Sequence, residues 1–303
     1  MTSNGPHVPR IDSHHHLWDL DVRDQPWITG SAMARIRRNF GVADLHPELV
    51  RAGVDATIVV QTVASFEETI ELLQVAADTP FIAGVVGYVD LESEHVGEQL
   101  DHLLDGPNGR WLVGIRHVVE AEQDPRWLVR PRVLVGLHEV AKRNLTYDLL
   151  IAPNQFDAAR EAAAAVPSGR FVLDHLGKPA IARREREPWK SHIAALAARP
   201  NVFAKVSGLA TEAGESWTAR DLQPYVDHAL AWFGSGRLLF GTDWPVCLLG
   251  GSYTDVCEAA AITLASLPAD EQAAVFGGNA IDVYRLSSRS LAGHVLPVNG
   301  GTA

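Results

Sequence analysis

Eight short β-rich runs alternate with longer helical patterns along this chain, and that beat constrains its fold more than any other feature. The runs are "IDSHHHLW" (11–18), "DATIVVQT" (55–62), "FIAGVVGYVD" (81–90), "WLVGIRHVV" (111–119), "LTYDLLIA" (145–152), "RFVLDHLG" (170–177), "NVFAKVSGL" (201–209) and "RLLFGTDWP" (237–245). Several are nearly continuous apolar stretches, the pattern of strands in a parallel sheet covered by helices. Between them, "SFEETIELLQVAAD" opens with Ser65 and Glu68 at capping-box spacing. "NQFDAAREAAAAV" is rich in alanine, and "PWKSHIAALAARP" begins with a proline and stops before another. Eight β-then-α units predict an α/β fold of the closed (β/α)8 TIM-barrel kind. No Gly-x-Gly-x-x-Gly follows the first run, which argues against an open dinucleotide-binding sheet.

A length of 303 residues accommodates one such barrel. We expect a single barrel domain over 1–286 and a C-terminal tail over 287–303. The stretch 19–44, with "DQPWITG" and "MARIRRNF", is too long for an ordinary βα loop and is expected to form a rim or lid over the mouth. The formal net charge of −11 excludes a basic nucleic-acid-binding surface. No window reaches the roughly 20 apolar residues a membrane helix needs. Two cysteines, Cys247 and Cys257, make no disulfide framework. With no signal-peptide pattern at the start, the expectation is a cytoplasmic protein without nucleic-acid or membrane partners; its oligomeric state is not legible.

Barrels of this type place their chemistry at the C-terminal ends of the strands. There the chain carries His14, His15 and His16 on the first run, Arg116 and His117 on the fourth, and Tyr147 and Asp148 on the fifth. Asp174 and His175 follow on the sixth, Lys205 and Ser207 on the seventh, and Asp243 and Trp244 on the eighth. Side chains alternate along a strand, so His14 and His16 face one way and His15 the other. Two imidazoles on one face can meet one metal ion or one substrate. Plainer roles stay open for each residue. His175 can be a satisfied core histidine, Asp243 the start of a turn, Arg116 a structural ion pair. Lys205 can hold a carboxylate inside the barrel, and Trp18 and Trp244 can plug its mouth. Chance explains their joint arrival at successive strand ends poorly.

"DSHHHLWD", "VGIRH" (113–117), "VLDHLGKP" (172–179), "AKVSGL" (204–209), "LLFGTDWPV" (238–246) and "VFGGNAIDVY" (275–284) occur in the order in which similar segments occur in the amidohydrolase superfamily. The chain resembles its lactonase branch, known as amidohydrolase 2, over roughly residues 10–286. The resemblance implies a hydrolase that opens cyclic esters, such as fuconolactone, rhamnonolactone or galactonolactone, or carboxylated lactones. It implies His14, His16 and Asp243 as ligands of one divalent metal, zinc foremost, or of none. Binuclear members place a bridging lysine or glutamate after strand four and a histidine on strand five; here stand Arg116 and Tyr147, and a guanidinium repels a second metal. On this reading Asp243 is the general base, His175 protonates the leaving ring oxygen, and Arg116 holds the carbonyl. Trp18, His117, Tyr147, Lys205 and Trp244 are expected around the small-molecule lactone. The competing readings are a metal-dependent decarboxylase of the same superfamily and a barrel that binds without catalysis.

Overall fold

β-Branched and aliphatic runs that bury both faces can pair in parallel only if helices cover the outside, and the chain meets that requirement unit by unit. In a computed structural model describing residues 8–287 and 291, eight strands form one parallel sheet in chain order. They are β1 (Ile11–His15), β2 (Ala56–Val60), β3 (Ile82–Gly87), β4 (Leu112–His117), β5 (Thr146–Leu149), β6 (Arg170–Leu173), β7 (Val202–Val206) and β8 (Leu238–Phe240). The helices between them are α1 (Val42–Ala52), α2 (Phe66–Asp78), α3 (Val96–Asp105), α4 (Pro131–Lys142), α5 (Phe156–Ala165) and α6 (Trp189–Ala197). After β7 come α7 (Leu209–Ala213) and α8 (Ala219–Phe233), and after β8 come α9 (Tyr253–Thr263), α10 (Ala269–Ala273) and α11 (Asn279–Val283). The barrel closes just past β8. There the Asp243 amide donates to the His14 carbonyl at 2.8 Å and the His16 amide to the Trp244 carbonyl at 2.6 Å. The Ser13 hydroxyl donates across the same seam to the Phe240 carbonyl, 2.6 Å away.

The strands are shorter than the apolar runs that announce them. The run over 170–177 leaves the sheet after Leu173, because His175, Leu176 and Lys178 take positive φ of 55°, 49° and 54° in a tight turn. The ends of the first, fourth and eighth runs likewise depart into the mouth. The capping expected at α2 is half realised. Ser65 Oγ accepts from the Glu68 amide at 3.1 Å, but the Glu68 carboxylate turns to the amides of Thr62 and Val63, at 3.0 and 3.2 Å, and to the Thr62 hydroxyl. It thereby fixes the loop after β2, which borders the mouth.

Two apolar layers result. Between strands and helices lie Leu49, Val85, Leu137, Phe171 and Ile193 among others, each nearly or fully buried. Inside the lower barrel, Ile58, Val60, Val86, Val172 and Leu239 meet Ala280, Val283 and Tyr284 at the end of α11, which plugs the base. Each fully buried aliphatic side chain contributes about 1.5–3 kcal/mol. Of the segment 19–44, Ile28, Ile36 and Phe40 are buried, and a short 3-10 turn spans Ser31–Ile36. The expected tail lies outside the described residues except for Ser287 and Leu291.

Candidate active site

Alternation along β1 sends His14 and His16 into the upper barrel and His15 outward, where its Nε2 meets the Thr57 hydroxyl at 2.9 Å. The Nε2 atoms of His14 and His16 are 3.2 Å apart. Asp243 follows β8 with a φ of 63° and brings Oδ1 to 3.7 Å from His14 Nε2, 3.4 Å from His16 Nε2 and 4.0 Å from His175 Nε2. His175, on its left-handed turn, is held through Nδ1 by the Ser207 hydroxyl at 3.0 Å. First and last strands, with the turn after β6, thus place three imidazoles around one carboxylate oxygen.

Beneath them runs a buried ionic network. The Arg116 guanidinium donates through Nη1 to Asp174 Oδ2 at 3.1 Å and through Nη2 to the Gln61 carbonyl at 2.5 Å. Lys205 Nζ reaches Asp148 Oδ2 at 2.5 Å and His14 Nδ1 at 3.1 Å, and Tyr284 Oη donates to Asp148. Burial and fixed charge set the protonation states. Burial holds His14 well below the ordinary histidine range and also lowers His175. Burial works against ionisation of Asp243, but His175, His16 and Lys178 outweigh it and hold the carboxyl below its usual range. Burial opposes ionisation of Asp174 too, and Lys205, His14 and Arg116 overcome it. For Asp148 burial prevails over Lys205 and pushes the carboxyl up to about 6.

Above the three imidazoles opens a cavity of about 580 Å³. Its walls include His16, Arg116, His117, His175 and Asp243, together with Lys178, Glu120, Glu122 and Glu212 from the strand-to-helix loops. Pro26, Trp27 and Met33, from the segment 19–44, form an apolar side. His117 lines the wall with Nε2 on Glu122 at 2.8 Å and its ring stacked on Trp127, centroids 4.2 Å apart.

Four expected substrate contacts stand elsewhere. Tyr147 is buried edge-on to Phe171 in the layer outside the sheet, because alternation on β5 gives the interior to its neighbour Asp148. Lys205 is wholly buried below His14 and takes the plainer role, holding a carboxylate inside the barrel. Trp18 and Trp244 both pack on Phe40 in a buried aromatic layer, and Trp18 Nε1 donates to the Arg38 carbonyl at 2.7 Å. The sequence reading overlooked the cavity's Trp27, Lys178, Glu120, Glu122 and Glu212. The only signal was that Lys178 and Glu120 lie one residue, and Glu122 and Glu212 three residues, past the quoted strand ends. Arg126, Arg130, Arg183 and Arg184 are tied to Glu161, Asp124, Glu185 and Asp221 away from the cavity.

His14, His16 and Asp243 also fit a cation. Their donor atoms form a triangle with sides of 3.2, 3.4 and 3.7 Å. A tetrahedral zinc ion with bonds of about 2.0–2.1 Å needs ligand–ligand edges of about 3.3 Å, with the fourth corner open for chemistry. Asp174, His14 and His175 form a second such group among the described residues.

A parallel barrel with paired imidazoles on its first strand and a carboxylate after its last defines a barrel hydrolase. The model of the amidohydrolase family matches residues 11–286, and the chain belongs to that family of enzymes. An L-fucono-1,5-lactonase of Burkholderia ambifaria is 38% identical over 287 residues, 93% of this chain and 97% of that one. The crystal structure of an amidohydrolase from Burkholderia multivorans with bound zinc is 35% identical, covers 92% of this chain and 100% of that chain, and has a TM-score of 0.87. A 2,6-dihydroxybenzoate decarboxylase from Rhizobium, 14% identical over 92% of this chain and 99% of that one with a TM-score of 0.62, shares the fold alone.

Proposed function

We propose that this enzyme hydrolyses neutral, polyhydroxylated sugar-acid lactones. The observation that carries the choice of substrate is the charge of the cavity. Its two permanent cations are already paired, Arg116 with Asp174 and Lys178 with both carboxylate oxygens of Glu120. Glu122, Glu212 and Asp243 remain on the walls as acids. A dicarboxylated ring would meet like charge there, whereas sugar hydroxyls find acceptors. The likeness to L-fucono-1,5-lactonases supports the same choice.

Asp243, ionised at neutral pH, takes a proton from a water molecule as that water attacks the ring carbonyl. Positive charge on Arg116 and N–H donors around the mouth stabilise the oxygen as it becomes anionic. The water's proton passes from Asp243 to neutral His175, whose Nδ1 is fixed on Ser207 and whose Nε2 lies 4.0 Å from Asp243 Oδ1, and from His175 to the departing ring oxygen, which completes an acid and an alcohol. A divalent cation, zinc foremost, would be held by His14, His16 and Asp243, where it would polarise the carbonyl and lower the pKa of water towards about 7. His117 serves as a wall of the substrate cavity, and the segment 19–44 as its rim.

Acid release from a panel of lactones tests the reading. Neutral aldonolactones should surpass a dicarboxylated pyrone lactone by about 10²-fold or more in kcat/KM, and the reverse order would overturn it. Asp243→Asn should lower turnover by about 10²-fold or more with the fold intact. Near-normal turnover would exclude Asp243 as the base.

A further inference from the structure

The ring of His14 is fully buried, and each of its nitrogens faces one group that can only donate and one able to accept. At Nδ1 stand Lys205 Nζ, 3.1 Å away, and Asp174 Oδ1, 3.2 Å away. At Nε2 stand Arg116 Nη1 at 3.3 Å and His16 Nε2 at 3.2 Å. His16 accepts there because its Nδ1 lies 2.8 Å from the Val60 carbonyl, which only accepts, so a neutral His16 keeps its proton on Nδ1. Two neutral tautomers of His14 therefore each find partners at both nitrogens. In one, Nε2–H donates to His16 and Lys205 donates to Nδ1. In the other, Nδ1–H donates to Asp174, and the Nε2 lone pair, which Arg116 Nη1 faces at 3.3 Å, is turned towards a cation.

We propose that His14 rests in the first tautomer, held there by Lys205, and that a cation captures the second, so that Lys205 and Asp174 oppose each other in setting the site's cation affinity. Asp174 Oδ1 is the mark of the resting arrangement. It is buried and ion-paired with Lys205 Nζ at 3.1 Å, yet it has no aligned hydrogen-bond donor, with His14 Nδ1 at 3.2 Å. A buried acceptor seldom lacks an aligned donor without cause, and the Nδ1 proton of the second tautomer would supply one beside the Lys205 charge. In the second tautomer without a cation, the bare Nε2 atoms of His14 and His16 would face each other at 3.2 Å, relieved only in part by Arg116 Nη1, which stands 3.3 Å from His14 Nε2 and also donates to Asp174. The change moves one proton between nitrogens of one ring; His14 is neutral before and after, and releases no proton. Lys205 is a positioning residue, fixed in turn by Asp148, on which Tyr284 Oη closes at 2.8 and 2.9 Å.

The inference rests on the cation reading of His14, His16 and Asp243, and ¹⁵N-histidine NMR together with Zn²⁺ titration separates the two. In wild-type protein stripped of metal, His14 should carry its proton on Nε2, and after Zn²⁺ addition on Nδ1. Lys205→Met should shift the metal-free ring to Nδ1–H and tighten Zn²⁺ binding about tenfold. Asp174→Asn, whose amide donates to Nδ1, should weaken binding about 10–100-fold. A metal-free wild-type ring with its proton on Nδ1 overturns the inference, as does a Lys205→Met protein that loses Zn²⁺ affinity in parallel with Asp174→Asn, the result a merely structural lysine would give. If Lys205→Met does not fold, the wild-type spectrum decides alone. Failure of the wild type to bind Zn²⁺ overturns cation control but leaves the lactonase reading, which the substrate panel tests separately.

Discussion

His15, the middle histidine of three, turns away from the chemistry and carries a stability consequence of its own. Burial, with His16 beside it, pushes its imidazole down to about 3 from an ordinary 6.5. Between those values the unfolded chain takes a proton that the folded one refuses. The stability His15 contributes is complete above pH 6.5 and is lost as the pH falls towards 3. At pH 4.5 the loss is about 2–3 kcal/mol. Urea unfolding at pH 7 and pH 4.5 should show a smaller acid-induced drop for His15→Gln than for the wild type, by about that amount. An equal drop would mean that His15 is solvated or charged in the fold. Legibility at this scale follows side-chain direction. His14, His16, His175, Arg116 and Asp243 all reach the shared mouth from strand-end positions the sequence marks. Tyr147 and Asp148 are adjacent on β5, and apolar content cannot tell which faces in, because both sides of this sheet are buried.

At the scale of elements, turns rather than strands aim His175 and Asp243, the proposed acid and base. Gly208, between β7 and α7, has a φ of 66°, and a Cβ there would lie 2.7 Å from His175 Nδ1. Gly208→Ala should therefore cost about 1–3 kcal/mol of stability, push His175 off Ser207 and lower turnover at least tenfold. Gly236→Ala, which meets nothing within 4 Å, is the control and should be near neutral. Denaturation and initial-rate measurements on the pair check this; turnover retained in Gly208→Ala would mean His175 is not held as described. The left-handed turn at His175 and Leu176 left only a faint trace in the sequence, since histidine takes positive φ more readily than most residues but leucine does not. That is why the sixth run reads as a longer strand than β6. The loop glutamates around the mouth were unreadable for a related reason, since no period governs where a loop side chain points.

Across the whole molecule, the order of eight β-then-α units was legible because each apolar run must find a covered place in a parallel sheet, and chain order settles the neighbours. The plug of the barrel floor was not, because "VFGGNAIDVY" reads as a short helix with no indication that Tyr284 reaches Asp148 inside the barrel. A cation at the proposed site would join the first strand to the segment after the last, so it should act on global unfolding. Removal of metal by a chelator should lower the unfolding midpoint, and Zn²⁺ at about 100 times its dissociation constant should restore about 2.7 kcal/mol. Thermal scans with and without Zn²⁺ measure this, and identical midpoints would argue against a cation held by the native state.

The Asp12 carboxylate accepts from the Thr242 amide and hydroxyl 230 positions later in the chain, at 2.9 and 2.5 Å, beside the seam where Asp243 meets His14. A chain lacking its last fifth therefore holds the imidazoles without the carboxylate proposed as their base, and an isolated half-barrel would have no complete site. Ring closure and assembly of the proposed site are therefore one and the same set of contacts.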